Sequence, residues 1–166
     1  MEHPKRVGDR TTLAVMAVFD LLGYALYVPF GENTRTDLVV DDGTGLVRVQ
    51  CKTGRLRDGS VRFATCSSYA HHRAARFTYR DYAGEIDAFA VFCPQTDTVY
   101  LVPIDSVPPK RGAALRVDAP RNNQRRGIRF ARDYEIGRVS AVVAQPQASR
   151  STSGATAPSA RPRMST

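Results

Sequence analysis

Residues 37–52 read DLVVDDGTGLVRVQCK, two β-branched runs hinged on Asp42-Gly43 and Gly45. An Asp-Gly turn signal between two apolar, alternating runs specifies a β-hairpin more firmly than any other short pattern in the chain. Successive side chains of a strand point to opposite faces, so Val47, Val49 and Cys51 turn to one side and Arg48, Gln50 and Lys52 to the other. Asp37 opens the partner strand. It can approach Gln50 and Lys52, gathering a carboxylate, an amide and an ammonium group around one small volume.

Elements on both sides of the hairpin extend this unit. Thr11 to Leu22, TTLAVMAVFDLL, has no interior Gly or Pro and predicts a mostly buried helix, with Asp9 as N-cap and Gly23 as its stop. An extended segment should follow at residues 24–29. After the hairpin, Asp58-Gly59 introduces a third strand at 60–66, and the strands at 37–41, 46–52 and 60–66 together predict an antiparallel meander. Residues 67–84 are polar, basic and aromatic and read as a loop with a short helix. EIDAFAVFC at 85–93 and TVYLVPI at 98–104 form a second hairpin around 94–97, and its first strand is apolar enough to be buried on both faces. A strand at 114–118, a basic segment at 121–132 and a short element at 134–143 complete the folded part. From residue 145 the Ser/Thr/Ala/Pro/Arg-rich composition cannot offset its ordering entropy, so 145–166 is expected to be a disordered tail.

With 166 residues, 42% of them hydrophobic and 24% charged, the chain suits one compact domain with no apolar run of membrane-spanning length. The start MEHPKRVGDR has no apolar signal core, so a cytoplasmic location is expected. Cys51, Cys66 and Cys93 have no metal-knuckle spacing and read as buried reduced thiols. The net charge of +8 includes three tail arginines and leaves +5 on the folded part, an excess that suits a polyanion such as nucleic acid.

The Asp37 cluster has the chemistry that phosphodiester cleavage requires. A hard divalent cation needs oxygen ligands; Asp37 is the obvious one, and the Gln50 side-chain oxygen and the Cys51 backbone carbonyl complete a small set of the kind magnesium, or manganese, accepts. Lys52 is placed to orient or deprotonate the attacking water, or to stabilise the phosphate in the transition state. Taken singly, these residues read as ordinary strand-end and surface groups, and only their combination favours a site. Glu32 could touch the cation or pair with Arg35. Adjacent His71 and His72 read as solvated, because no third ligand has metal spacing. Arg35, Arg48, Arg55, Arg73 and Arg76 are candidate nucleic-acid contacts, and Arg57, Arg62 and Arg80 share their neighbourhood with Tyr69, Phe77, Tyr79 and Tyr82. The Arg121–Arg132 run, with Asn122, Asn123 and Gln124, is a candidate groove-contacting segment or a charged surface hairpin.

Asp37, twelve intervening residues and then Gln50-Cys51-Lys52, after a helix and across a hairpin, resembles the D-x(n)-(D/E/Q)-x-K core of the PD-(D/E)XK nuclease superfamily. The longer strings GENTRTDLVVDDGTGLVRVQCKTGR and GEIDAFAVFCPQTDTVYLVP resemble the branch that includes group I intron-associated homing endonucleases. The resemblance implies an α/β fold, a restriction-endonuclease-like mixed sheet flanked by helices, over residues 1–144. It also implies magnesium-dependent DNA hydrolysis with Asp37, Gln50 and Lys52 as the catalytic set. In this chain Gln50 stands where the family more often has Glu or Asp, and Thr11 and Thr12 stand where many members carry a helix Glu, leaving Asp9 as the nearest carboxylate. The competing expectation is a degenerate nuclease fold that holds DNA without cutting it; RNA processing ranks below both. Since one site cuts one strand, double-strand cleavage would favour a symmetric dimer or higher assembly.

Overall fold

The structure, a computed structural model, describes residues 3–31, 34–70, 77–108, 111–119 and 126–143. The first helix, α1 (Pro4–Leu21), begins seven residues before the expected Thr11. The opening turns PKRVGD have no apolar stripe, so periodicity does not reveal them. Pro4 nevertheless supplies a preset φ at the start of the helix, and His3 Nδ1 accepts from the Lys5 N–H at 3.3 Å. His3, not Asp9, is therefore the cap, and Asp9 lies exposed inside the helix. The buried stripe is Thr11, Ala14, Val15, Val18 and Phe19, at helical spacing. Gly23, at φ 79°, ends the helix: its N–H bonds to Asp20 O, the Tyr24 N–H bonds to Phe19 O, and the Phe19 and Tyr24 rings meet edge to face at 5.6 Å. These two bonds and one apolar contact are a Schellman stop.

β1 (Ala25–Tyr27), β2 (Leu38–Asp41) and β3 (Leu46–Thr53) then pair antiparallel in that order, with Leu38 opposite Val49 and Asp41 opposite Leu46. β4 (Arg55–Arg57) and β5 (Ser60–Ala64) follow, joined by Asp58 and Gly59, both at positive φ as a two-residue hairpin turn requires. The expected meander is not what forms. β5 leaves the first sheet, and β3 pairs instead in parallel with β8 (Ala88–Cys93), a strand whose six residues are all buried. Gly54 is where the chain changes sheets. A Cβ there would lie 2.6 Å from Val61 Cγ1 and 2.9 Å from Val91 Cγ1, so only glycine lets the two sheets close on the crossing backbone.

Between β5 and β8, in the segment expected to be a loop with a short helix, the described residues supply β6 (Ser67–Ala70) and β7 (Phe77–Arg80), an antiparallel pair. β9 (Thr98–Pro103) returns beside β8; β10 (Gly112–Arg116) pairs with β5; and β11 (Glu135–Arg138) pairs with β9 and leads into the short helix α2 (Val139–Val143). The main sheet is thus six-stranded and mixed, in the order β1-β2-β3-β8-β9-β11, with a three-stranded sheet β10-β5-β4 beside it. The expected tail at 145–166 and the Arg121–Gln124 segment lie outside the described residues.

Each face of the main sheet has its own core. Ala14, Val15, Val18 and Phe19 of α1 pack with Val40, Val49, Cys51 and Ala90 on one side. On the other, Val61 and Phe63 of β5 and Leu115 of β10 pack with Phe89, Val91 and Val102. Gln50 stands opposite Phe89 and Lys52 opposite Val91 in the β3–β8 ladder, so both belong to the face turned toward the smaller sheet, and Cys51 belongs to the α1 face.

Candidate active site

The β2–β3 ladder ends on a side chain. Asp37 N–H bonds to Val49 O at 2.9 Å, the rung that precedes Leu38. Two residues along β3, the Cys51 N–H meets Asp37 Oδ2 at 2.8 Å, and the same oxygen accepts from Gln50 Nε2 at 2.6 Å. The N–H and C=O of one strand residue face the same edge, so the Cys51 carbonyl turns toward the edge that Val49 O faces, beyond the start of β2. Burial pushes the Asp37 carboxyl above its ordinary range, and the Cys51 N–H, the Lys52 charge and the Gln50 amide each pull it back.

Lys52 Nζ donates to Tyr82 Oη at 2.8 Å and sits 4.7 Å from the centroid of that ring. Tyr82 is buried, edge to face with Phe89 at 5.6 Å, and the Arg35 guanidinium lies 3.9 Å from its centroid. Arg35 is itself held by Glu85 Oε2 and Ser67 Oγ, both at 2.6 Å, and by the Asp81 carbonyl. Glu85 also takes Arg80. Arg48 is clamped by Asp87, with Nη2–Oδ1 at 2.8 Å and Nε–Oδ2 at 3.1 Å, and its own N–H bonds to Asp87 Oδ2 at 2.8 Å. The Asp87 carboxyl accordingly stays below its ordinary range, chiefly through Arg48.

Asp37, Gln50 and Lys52 thus share one face as strand alternation requires, with the Cys51 carbonyl at the adjoining edge. Among the proposed nucleic-acid contacts, Arg35 and Arg48 are committed to Glu85 and Asp87, whereas Arg55 is exposed. Arg73, Arg76, Glu32, His71 and His72 lie outside the described residues. The Cys51 thiol is buried and pushed up to about 12, first by burial and then by Asp37, as an inert core thiol should be. All three cysteines are free. In place of a helix Glu, Thr11 Oγ1 meets Thr53 Oγ1 at 2.6 Å. Pattern reading placed Tyr82 only among the aromatics beside the basic residues and missed Glu85 and Asp87; all three come from one connection, residues 81–87, and grip Lys52, Arg35 and Arg48 in turn. The available signal was the acidic pair in GEIDAF, two carboxylates at the mouth of an otherwise apolar strand.

Among the described residues no three His, Cys, Asp or Glu side chains gather as a metal cluster. The oxygen donors here are one carboxylate, one amide and one backbone carbonyl. Gln50 Nε2 is taken by Asp37, so only its amide oxygen could serve a cation. An all-oxygen set with a single negative charge fits a hard divalent cation that keeps most of its waters.

The family model of PD-(D/E)XK endonucleases matches residues 2–137. The chain belongs to the PD-(D/E)XK endonuclease family. In this chain Asp37, immediately before β2, and the Gln50-Cys51-Lys52 tripeptide of β3 lie across one hairpin. Among solved structures, a bacterial homing endonuclease, I-Ssp6803I, shares the fold with TM-score 0.65 and 20% identity, over 81% of this chain and 89% of that one. Among curated proteins, none matches the sequence significantly. The PD-(D/E)XK fold is therefore restriction-endonuclease-like, as the sequence implies.

Proposed function

We propose that this PD-(D/E)XK endonuclease hydrolyses phosphodiester bonds in DNA with a divalent cation, magnesium or manganese, held by Asp37, the Gln50 amide oxygen and the Cys51 carbonyl. The observation that carries this reading is the double hydrogen bond at Asp37 Oδ2, which fixes a carboxylate where β2 has left the β3 edge open. Such a cation, when bound, polarises the phosphate and acidifies water. The protein's own groups do the rest. Asp37 and Gln50 fix the geometry, and Lys52 supplies a positive charge beside the attacking water and the phosphate, where charge builds as the P–O bond breaks. Exposed Arg55 and Arg57 offer guanidinium forks to the DNA backbone, beside Arg62, which is paired with Asp58.

Plasmid DNA incubated with the purified protein and magnesium or manganese tests this. Nicking or linearisation that disappears in Lys52→Ala and Asp37→Ala is expected; uncut plasmid at every cation concentration would defeat the proposal. The ligand set contains only one carboxylate, and that observation keeps a second reading in view, a fold that binds DNA without cutting it. Salt-sensitive DNA binding with no turnover would identify that case.

A further inference from the structure

Lys52 makes its hydrogen bond to a phenol that no D…QxK pattern contains. A lysine side chain has four rotatable carbons and a compact, strongly hydrated head, so its ammonium is a catalytic point charge only when something fixes where it stands. Tyr82 Oη is 2.8 Å from Lys52 Nζ, and Tyr82 is 4% exposed. Its ring cannot wander: Phe89 meets it edge to face at 5.6 Å, and the Arg35 guanidinium lies 3.9 Å from its centroid. Arg35 is pinned in turn by Glu85, Ser67 and the Asp81 carbonyl. A run of contacts therefore leads from the β7–β8 connection, through a stacked guanidinium and a buried ring, to one ammonium group.

We infer that Tyr82 is the positioning residue for Lys52, with Arg35 as the plate that holds the tyrosine ring in place; this rests on Lys52 acting in cleavage as proposed above. A buried tyrosine hydroxyl needs a partner in any fold, so the contact alone has a structural explanation. Two features go beyond it. The partner is the lysine of the Gln50-Cys51-Lys52 tripeptide, and the cation stacked on the ring is hydrogen-bonded to Glu85, Ser67 and the Asp81 carbonyl, so the ring has supports besides Lys52. Of the pair, Lys52 has the intrinsically flexible side chain and Tyr82 the packed ring.

Tyr82→Phe removes the hydroxyl and keeps the ring. Its kcat for DNA cleavage should fall about tenfold or more, with KM within about twofold of wild type, because the lost interaction acts on the reacting groups and not on DNA binding. The thermal midpoint should stay close to that of wild type. A Tyr82→Phe protein that cuts with unaltered kcat overturns the positioning role, as does a loss that appears only in KM or tracks a fall in thermal stability. If wild type cleaves and Lys52→Ala does not, any of these results sinks this inference alone; if wild type itself never cleaves, the endonuclease reading fails and takes this inference with it.

Discussion

Asp37 stands in for a missing strand: its Oδ2 accepts the Cys51 N–H at 2.8 Å, one rung beyond the bond from Asp37 N–H to Val49 O. A buried edge amide has to be satisfied, and doing so with a carboxylate leaves an acid at the end of the sheet where a strand would have left nothing reactive. The same oxygen takes the Gln50 amide, so the residues that would hold a cation are organised before one arrives.

That organisation opposes stability. Burial raises the Asp37 carboxyl in the folded state, so between its ordinary value and the raised one the folded chain binds the extra proton. Stability then falls as pH rises through that window, and the penalty is complete above it. Asp37→Asn should therefore melt no lower than wild type, and up to a few degrees higher, at pH 7 without divalent cation. The difference should close in acid, where wild type is protonated too. Added manganese should raise the midpoint of wild type and not that of the variant. Scanning calorimetry at two pH values, with and without the cation, checks all three.

Gln50→Glu replaces a hydrogen bond with a second carboxylate against Asp37. Two adjacent acids cannot both ionise freely, so cleavage should need a higher pH, and the cation-free protein should lose roughly 2–5 °C of thermal stability. The added charge should also lower the cation concentration for half-maximal cleavage. Titrations of magnesium against cleavage rate at several pH values measure both effects.

The clamp of Asp87 on Arg48 is structural. Its depressed carboxyl contributes stability above the ordinary carboxylate value and loses it as pH falls through the lowered one. Asp87→Asn should cost about 1 kcal/mol at pH 7, because the pair is partly open to solvent, with the difference vanishing in acid. Urea denaturation at pH 7 and in acid tests this.

On the outer face of the smaller sheet, Arg55 stands opposite Arg62, and a recess there is lined by Arg55, Arg57 and Arg62 with Ala64, Gly112 and Ala114. Small residues beneath arginine forks suit a DNA backbone. Each of Arg55→Ala and Arg57→Ala should weaken binding about equally for all sequences and reduce the slope of log K against log salt by about one. Fluorescence anisotropy with a labelled duplex over a range of salt concentrations reads that slope.

The hairpin that carries Asp37, Gln50 and Lys52 was legible because its turn glycines and its alternation are local facts, confirmed by Leu38 opposite Val49. Gly23 as a helix stop was legible for the same reason. The sheet order was not. The double burial of β8 was legible in its apolar run, but whether β3 takes β5 or β8 as its second neighbour also depends on whether Gly54 lets the chain cross between sheets, which no single window of sequence decides. Tyr82 was hidden likewise: thirty positions from Lys52, it reads as one more aromatic in a basic loop until β8 brings its segment beside β3.

The most direct measurement is an anomalous difference map from a crystal of the protein soaked in manganese. A single peak about 2.0 to 2.6 Å from an Asp37 carboxylate oxygen and from the Gln50 amide oxygen is the expected result. A peak elsewhere, or none at that strand edge under conditions where the protein cuts DNA, would contradict it.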